Sequence, residues 1–162
     1  MNWNFCTLTT VINGRELKYD IESGEIWCVH GKSKKWEVKS VYKDGDYLKL
    51  RIGNKMYLQH RVIYKFYNPN WNIDNCSTNN SIDHINHNTT DNCIANLRNL
   101  THQQNQFNTK AKGYYWNKAA MKWVTRIHLN GGSIYLGHFD LEEDARNAYL
   151  EAKRVHHIIT PL

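Results

Sequence analysis

The sequence predicts an α+β protein in which antiparallel strands predominate and three segments follow one another. Short runs rich in β-branched and aromatic residues alternate with Gly- and Asn-containing turns at both ends of the chain. Apolar residues at helical spacing follow the first and the last group of strands. A central stretch is instead rich in Asn and poor in apolar residues. We therefore expect regions 1–70, 71–110 and 111–162.

The first region predicts an antiparallel β meander followed by a short helix. Turn residues such as Asn13-Gly14 and Asp44-Gly45 separate the runs. The predicted strands are 7–12, 17–21, 26–30, 36–41, 47–52 and 56–59. Val62, Ile63 and Phe66 then lie at helical spacing, and the pattern stops before Asn68-Pro69, which predicts a helix packed against the sheet.

The central region has too few apolar residues to hold its shape by a large core. Eleven of residues 71–110 are Asn, and only 82–85 and 94–100 offer apolar side chains. A bound metal ion and a dense hydrogen-bond network would stabilise such a segment in place of a core.

The third region predicts three strands and one helix. The expected strands are 114–117, 122–129 and 133–139, and Asn130-Gly131 predicts a tight hairpin because both positions favour positive φ. Asp140 is the expected N-cap, with Glu143 at the third helical position. One apolar stripe should face the sheet, formed by Leu141, Ala145, Ala148, Tyr149, Ala152 and Val155.

Charge and composition favour a polyanionic partner. The 162 residues carry a net charge of +6, and Lys and Arg gain affinity by releasing counterions from nucleic acid. Two basic flanks enclose a slightly acidic centre: residues 1–70 hold 12 basic against 7 acidic side chains, and residues 111–162 hold 7 against 5. Whether the first region contacts DNA or only braces the centre stays open. Its candidate contacts are Lys32, Lys34, Lys35, Lys39, Lys49, Arg51 and Lys55.

Membrane, secreted and structural-zinc proteins are disfavoured. No run approaches the roughly 20 apolar residues of a membrane helix, and Met1–Phe5 has neither a basic start nor an apolar stretch. The four cysteines, Cys6, Cys28, Cys76 and Cys93, form no C-x-x-C pair, which is typical of reduced thiols. We expect a cytoplasmic protein in a bacterium or in an infected host cell.

The most specific string is SIDHINHN at 81–88, followed by NCIANLRNL at 92–100 and THQQNQFN at 101–108. It closely resembles the HNH, or ββα-metal, nuclease motif. The resemblance implies a hairpin followed by a helix. The first strand of the hairpin ends at Asp83-His84, the second strand carries Asn96-Leu97, and the helix carries Asn105. Because neighbouring strand residues point to opposite faces, a strand end or a bulge should lie at Asp83-His84.

The resemblance assigns the chemistry. His84 would be the general base, since an imidazole with an ordinary pKa of roughly 6.5 is largely neutral at cellular pH. Asp83 and Asn105 would hold one divalent cation, Mg²⁺ or Mn²⁺, through oxygen atoms. All three are the predicted catalytic residues.

Five further positions receive supporting roles. Asn96 is expected to tie the hairpin loop together and position the base. His87 and Asn88 fall in that loop and are favoured as a turn pair over metal ligands. His60-Arg61 resembles a segment that often precedes this motif, where its role is architectural, with Arg61 a candidate phosphate contact.

The last region resembles an AP2 DNA-binding domain. The resemblance is carried by KGYYW at 112–116, KWVTRI at 122–127, IYLGHFD at 134–140 and ARNAY at 145–149. On the second strand, alternation places one set of side chains on the same face: Trp123, Thr125, Ile127 and Leu129. Val124 lies on the other face. On the third strand, Ile134 and Leu136 lie on the face opposite to Tyr135. The expected DNA-binding residues on the exposed face are Arg126, His128, Tyr135, Tyr115, Trp116 and Lys122.

Two classes of function remain. The favoured hypothesis is a homing or free-standing HNH endonuclease of phage type that selects a site in double-stranded DNA and nicks one strand per active site. We expect a monomer rather than a dimer, no nucleotide cofactor and no membrane partner. The alternatives are a catalytically silent AP2-like regulator and a restriction-type HNH nuclease.

Overall fold

A computed structural model describes residues 6–30, 33–75, 77, 80–108 and 112–159. Residues 1–5, whose composition disfavours a secretory signal, lie outside this part of the chain, as do Lys32 and Cys76. The described residues form two compact units. The first comprises those up to Ser77 together with Ile82–Asn99, and the second comprises Asn80, Ser81 and the residues from Leu100 onwards.

The first unit begins with a four-stranded antiparallel sheet in sequence order. Its strands are β1 (Thr7–Ile12), β2 (Arg15–Asp20), β3 (Ile26–Val29) and β4 (Trp36–Val38). Asn13 and Gly14 both have positive φ, 51° and 65°, which suits the two-residue hairpin between β1 and β2. The predicted meander is therefore present.

A second sheet follows in the same unit. Its strands, also antiparallel and in sequence order, are β5 (Val41–Asp44), β6 (Tyr47–Ile52) and β7 (Lys55–Leu58). The prediction of one strand over 36–41 is wrong, because pairing with β3 ends at Val38 and a new strand starts at Val41. Val38 and Val41 are both exposed. The pattern of residue types in the sequence therefore gives no sign that one strand ends and another begins between them.

Helix α1 (Gln59–Tyr67) completes the core of the first unit. Val62, Ile63 and Phe66 are buried as their spacing predicts. The core also takes apolar side chains from both sheets and from the central region: Ile12, Leu17, Ile26, Leu50, Ile52, Ile73, Ile82 and Leu97. Burial of each aliphatic side chain stabilises the folded state by roughly 1.5–3 kcal/mol. This core therefore holds in place the elements that support the central hairpin.

The central region forms a two-stranded sheet and a short helix. Strand β8 (Ser81–His84) pairs with β9 (Leu97–Leu100), a 3-10 turn over Ile94–Asn96 precedes β9, and helix α2 covers His102–Phe107. Asn96 was expected on the second strand, but it ends the 3-10 turn, one residue before β9. Ile85 still donates its N–H to the Asn96 carbonyl oxygen at 2.9 Å.

The second unit contains β10 (Tyr114–Asn117), β11 (Lys122–Leu129), β12 (Gly132–Phe139) and helix α3 (Glu142–His156). The three strands form an antiparallel sheet in sequence order. Asn130 and Gly131 have φ of 51° and 75°, so the predicted hairpin turn is confirmed. No helix in the described part of the chain is long and apolar enough to cross a membrane.

The start and the stripe of α3 differ from the prediction. Leu141, not Asp140, is the N-cap residue, and its side chain makes no capping bond. The Asp140 carboxylate instead accepts a hydrogen bond from Lys122 Nζ at 2.8 Å. Ala145 and Tyr149 are buried, whereas Leu141 and Val155 are 62% and 50% exposed, so the apolar stripe is shorter than expected.

A register shift in the β11–β12 pairing changes the faces of β11. The partners move from Gly137 for Thr125 to Tyr135 for Arg126, which is a β-bulge. Val124 and Thr125 are therefore both buried, although simple alternation placed Val124 on the exposed face. Ile134, predicted to be apolar core, is 43% exposed.

Candidate functional site

The Asp83-His84 pair lies at the end of β8, where the sequence predicted a strand end. Both side chains are buried. Arg98 of β9 donates to Asp83 Oδ2 from Nε at 2.8 Å and from a terminal nitrogen at 2.7 Å. A charge-assisted contact of this kind orients the carboxylate and offsets its negative charge.

His84 is held at one ring nitrogen by a chain of two amides. Its Nε2 lies 2.9 Å from Asn92 Oδ1, and Asn92 Nδ2 donates to Gln59 Oε1 at 2.9 Å. Asn92 is itself buried, at 8% exposure. The loop between β8 and β9 thus contacts the imidazole, and the first residue of α1 contacts that loop.

Two further rings surround His84. The His60 ring stands perpendicular to it, with centroids 4.9 Å apart, and the Tyr47 ring lies 5.5 Å from His60 and 6.3 Å from His84. Burial, with the nearby His84 and Arg61, lowers the pKa of His60 to about 3. His60 is therefore neutral throughout the physiological range and adds no charge beside His84.

The hairpin loop after His84 is closed by side-chain amides. Asn96 Oδ1 accepts from the Asn86 backbone N–H at 2.9 Å, and Asn96 Nδ2 donates to Asn86 Oδ1 and to the Asp91 carbonyl oxygen at 3.0 and 2.8 Å. His87 has a positive φ of 63°, and Asn88 Oδ1 accepts from both N–H and O–H of Thr90. These contacts are of the kind expected from residues that shape a turn.

One turn of the loop is also attached to the second sheet. Thr89 Oγ1 donates a short hydrogen bond to the carbonyl oxygen of Asp46, in the turn between β5 and β6. Because Tyr47 follows directly, this turn contributes both a loop contact and a ring near His84. The second sheet thus supports the hairpin from the side of its β5–β6 turn.

Arg61 points into the first unit. Its guanidinium donates to the carbonyl oxygens of Ile73 and Asn75 at 2.7 and 3.0 Å and lies over the Trp71 ring at 4.7 Å. Three backbone and ring contacts tie residues 71–75 to α1. This use of Arg61 is architectural, in line with the role expected for the His60-Arg61 segment.

Asn105 lies on α2, in the second unit, and is half-buried. Thr101 caps this helix with a complete capping box: its hydroxyl accepts from the Gln104 N–H at 3.1 Å, and the Gln104 side chain accepts from the Thr101 N–H. His102 begins the helix and is exposed. The strong N-terminal cap explains how a six-residue helix forms in a polar segment.

The donor set suits a cation bound mostly by water and phosphate. Within the described ranges, no three His, Cys, Asp or Glu side chains form a metal-binding group, and the cysteines Cys6, Cys28 and Cys93 are free thiols. Mg²⁺ is commonly bound through one or two carboxylates and keeps several waters. Asp83 in the first unit carries a hard oxygen donor of that type, as does Asn105 in the second. Among the residues that the structure describes, Cys and His side chains form no closed zinc set.

The predicted DNA-binding residues of the second unit are spread over its three strands. Arg126 and His128 are exposed on β11, and the Arg126 guanidinium lies 5.8 Å from the Tyr135 ring centroid. Tyr115 is 50% and Tyr135 is 48% exposed. A basic side chain beside an exposed aromatic ring is chemically suited to nucleic acid.

Two other candidates from that set are engaged within the unit. Lys122 forms the ion pair with Asp140 described above and is half-buried. Trp116 packs edge-on against Trp123, with centroids 5.5 Å apart, and keeps 39% of its surface exposed.

The comparisons with known proteins support the central motif. Residues 57–107 match the family model described as HNH endonuclease. No curated protein and no solved structure matches the chain. The matched range runs from the end of β7 through α2 and includes Asp83, His84, Asn96 and Asn105. The match indicates a nuclease.

Sequence reasoning missed four residues around the site: Gln59, Asn92, Arg98 and Tyr47. Arg98 stood in the quoted string next to Leu97, and strand alternation alone places it opposite that buried leucine. Asn92 and Tyr47 contact His84 from two separate segments, and Gln59 contacts Asn92 from a third. No local pattern indicates such contacts.

Proposed function

We propose that this protein is a site-selective DNA endonuclease of the homing or free-standing HNH type, which hydrolyses a phosphodiester bond with one divalent cation and His84 as general base. The observation that carries the proposal is the buried Asp83-His84 pair at the end of β8, inside the range that matches HNH endonucleases. A buried imidazole that is oriented by a hydrogen bond is suited to take a proton from a water molecule.

His84 takes the proton that the attacking water loses as its oxygen bonds to phosphorus. The bond from phosphorus to the leaving oxygen breaks, and solvent water protonates that oxygen. Arg98 orients the carboxylate of Asp83 from β9, and Asn96 holds the loop that follows His84. Each side chain is fixed by hydrogen bonds before DNA binds, which reduces the reorganisation needed for reaction.

Asp83 and Asn105 are the proposed ligands of the cation, with water and a DNA phosphate completing its coordination. When bound, Mg²⁺ or Mn²⁺ neutralises charge on the phosphate and on the leaving oxygen. The Arg98 guanidinium lies 2.7 Å from Asp83 Oδ2, so it orients the carboxylate that is proposed to bind the cation.

The second unit is the proposed site-selecting module, an AP2-like domain that binds double-stranded DNA. Arg126, His128, Tyr135 and Tyr115 supply the exposed basic and aromatic groups, with Trp116 and Lys122 at the margin. The first region braces the hairpin through Thr89 and Asp46. A chain with one active site cuts one strand, so we expect a monomer to nick DNA.

The test is cleavage of supercoiled phage or host DNA with Mg²⁺, Mn²⁺ or EDTA. Wild type should produce nicked circles in either metal and none in EDTA. Asp83→Ala, His84→Ala and Asn105→Ala should each lower the nicking rate by roughly 10²-fold or more. His156→Ala, on the exposed end of α3, is the matched control and should nick at the wild-type rate.

The rival function predicts a different pattern. A silent AP2-like regulator would bind a specific DNA sequence tightly and leave it intact in every metal tested. If wild type behaves in that way on DNA known to contain the bound sequence, the endonuclease proposal is wrong.

A further inference from the structure

Helix α2 needs contacts beyond its own hydrogen bonds. It has six residues, and isolated helices shorter than roughly 12–15 residues are marginal in water. The capping box at Thr101 holds its first turn. Its last residue, Phe107, is buried, at 7% exposure. The neighbours of Phe107 therefore decide whether the end of α2 keeps its place.

His157 packs flat against Phe107. The two rings are stacked, with centroids 4.0 Å apart and an interplanar angle of 6°. His157 is the C-cap residue of α3, and its backbone N–H donates to the Lys153 carbonyl oxygen at 2.9 Å. Its Nε2 lies 3.0 Å from the carbonyl oxygen of His128 in β11, and Nε2 is the donor because a carbonyl oxygen only accepts. The ring is thus fixed by α3 and β11 and presents its face to α2.

A second contact lies on the same face of α2. Gln103 Nε2 donates to Asn130 Oδ1 at 2.8 Å, in the turn between β11 and β12. Gln103 and Phe107 are four residues apart, so they are neighbours on the helix surface. Asn105 is two residues from each of them, which is about 160° around the helix axis. The attached face therefore leaves Asn105 on the opposite side of α2.

The space beside α2 is not fully packed. A cavity of about 450 Å³ lies between α2, the turn that joins β11 to β12, and α3. Its lining includes Gln103, Phe107 and His157, together with Leu129 and Tyr149. A helix gains no packing energy across empty space. The ring stack and the Gln103 amide therefore have a large share in holding α2.

We propose that His157 is a positioning residue: its ring holds Phe107, and through it α2, in the orientation that presents Asn105 to the cation. The role of Asn105 as a ligand rests on the proposed function, whereas the attachment of α2 does not. His157 lies outside the range that matches HNH endonucleases, yet it controls a helix inside that range. A displacement of about 1 Å at a reacting group can lower a rate by roughly 10²-fold.

Three substitutions of His157 separate the ring contact from the hydrogen bond. His157→Phe keeps a ring face for Phe107 and removes the donor, whereas His157→Gln keeps a donor for the His128 carbonyl oxygen and removes the ring. His157→Ala removes both. His156→Ala, at the exposed neighbouring position, is the matched control. If the ring holds α2, His157→Phe should resemble wild type and His157→Gln should resemble His157→Ala. A role limited to the hydrogen bond with β11 gives the reverse order.

Hydrogen–deuterium exchange of the full-length protein, without metal or DNA, measures the attachment. The Asn105 amide, which donates to the Thr101 carbonyl oxygen at 2.9 Å, reports on α2. Loss of the ring contact should speed its exchange by about tenfold in His157→Ala and His157→Gln. His157→Phe and His156→Ala should stay near wild type, and the Ala145 amide in α3 should be unchanged throughout. Unchanged α2 exchange in His157→Ala, or faster exchange over the whole second unit, overturns the proposal.

Nicking kinetics test the positioning of Asn105. His157→Ala should lower kcat by roughly tenfold or more and raise the Mg²⁺ concentration needed for half-maximal nicking, with KM for DNA unchanged. His157→Phe should restore both quantities. Faster α2 exchange with an unchanged kcat and Mg²⁺ requirement overturns the positioning role. If wild type cuts no DNA in any metal, the endonuclease proposal fails, and the exchange rates still decide whether His157 holds α2.

Discussion

His84 shows how single contacts restrict one side chain. Its Nε2 faces an amide oxygen, its ring face meets His60, and Tyr47 lies beside both. Because the side chain is also buried, its rotamer and its hydrogen-bonding pattern are set by the folded chain. A side chain held in this way needs little rearrangement before it can act.

His60 should make stability depend on pH. The folded-state pKa of about 3 lies below the ordinary value of 6.5, so between these values the unfolded chain binds a proton that the native protein does not. The free energy of unfolding should therefore fall as pH decreases through this window, by up to ~1.4 kcal/mol per pH unit from this group.

Urea unfolding at pH 7.5 and 5.5 measures this effect. Wild type is compared with His60→Leu, whose apolar side chain can occupy the buried position but cannot bind a proton. Wild type should lose about 1 kcal/mol more than the variant between the two pH values. Equal losses would show that His60 has no depressed pKa in the native state.

Asp83 and Arg98 should be energetically coupled. Their side chains are 9% and 16% exposed, and removal of one partner from a largely buried ion pair leaves an uncompensated charge. In a double-mutant cycle with Asp83→Asn and Arg98→Met, we expect a coupling free energy of about 2 kcal/mol by urea unfolding. The same cycle on the exposed pair Lys122 and Asp140 should give less than ~1 kcal/mol; similar values for both pairs would contradict the prediction.

Part of the site could be predicted because its residues are close in sequence. Asp83-His84 and the loop amide Asn96 all lie within one short string, where residue type and spacing carry the information. Asn92 and Gln59 are 33 positions apart, and nothing local relates them. Their contact depends on how α1 packs under the hairpin, which a single sequence does not encode in a periodic pattern.

At the scale of elements, residue types predicted the turns correctly but did not predict the cap of α3. The Asn-Gly turns and the strands beside them follow from positive φ and alternation. Asp140 failed as a cap because its carboxylate pairs with Lys122 across the sheet. A tertiary ion pair competed with a local hydrogen bond, and the faces of β11 likewise changed at a bulge that alternation cannot predict.

Gly113 should be indispensable to the packing of β10 against α3. A Cβ at this position would lie 2.0 Å from Tyr149 Cε2, and φ is +70°. Gly113→Ala should lower the free energy of unfolding of the second unit by at least ~2 kcal/mol, through both steric overlap and backbone strain. Thermal or urea unfolding followed by tryptophan fluorescence measures it.

Gly131→Ala is the matched control for this prediction. Its φ of +75° is similar, but no atom lies within 4 Å of the added Cβ, so only the strain of a left-handed backbone, about 1 kcal/mol, should remain. If Gly113→Ala is no worse than Gly131→Ala, Tyr149 does not pack as described.

At the scale of the whole molecule, positive charge is the property that most concerns DNA. The net charge of +6 is concentrated outside the central region, and several basic side chains of the first unit are engaged by acidic neighbours, as Lys49 is by Asp44 and Lys55 is by Asp74. The balance of free and paired charge, more than the total, determines how strongly salt weakens binding.

Arg126 should contribute to this salt dependence. If its guanidinium contacts a phosphate, Arg126→Gln should reduce the slope of log K against log salt concentration by about 1. Arg154→Gln is the control, because Arg154 is already paired with Glu151 on α3. Fluorescence anisotropy with duplex DNA over a salt series gives both slopes; the same slope for Arg126→Gln and wild type would remove Arg126 from the interface.

The bond from Thr89 to Asp46 has a consequence for local unfolding. The loop after β8 has few apolar contacts and would otherwise open independently, but this bond makes its opening depend on the turn between β5 and β6. Backbone amides of the loop should then exchange with deuterium together with those of the turn. In Thr89→Val, the loop amides alone should exchange faster, so that two cooperative units replace one.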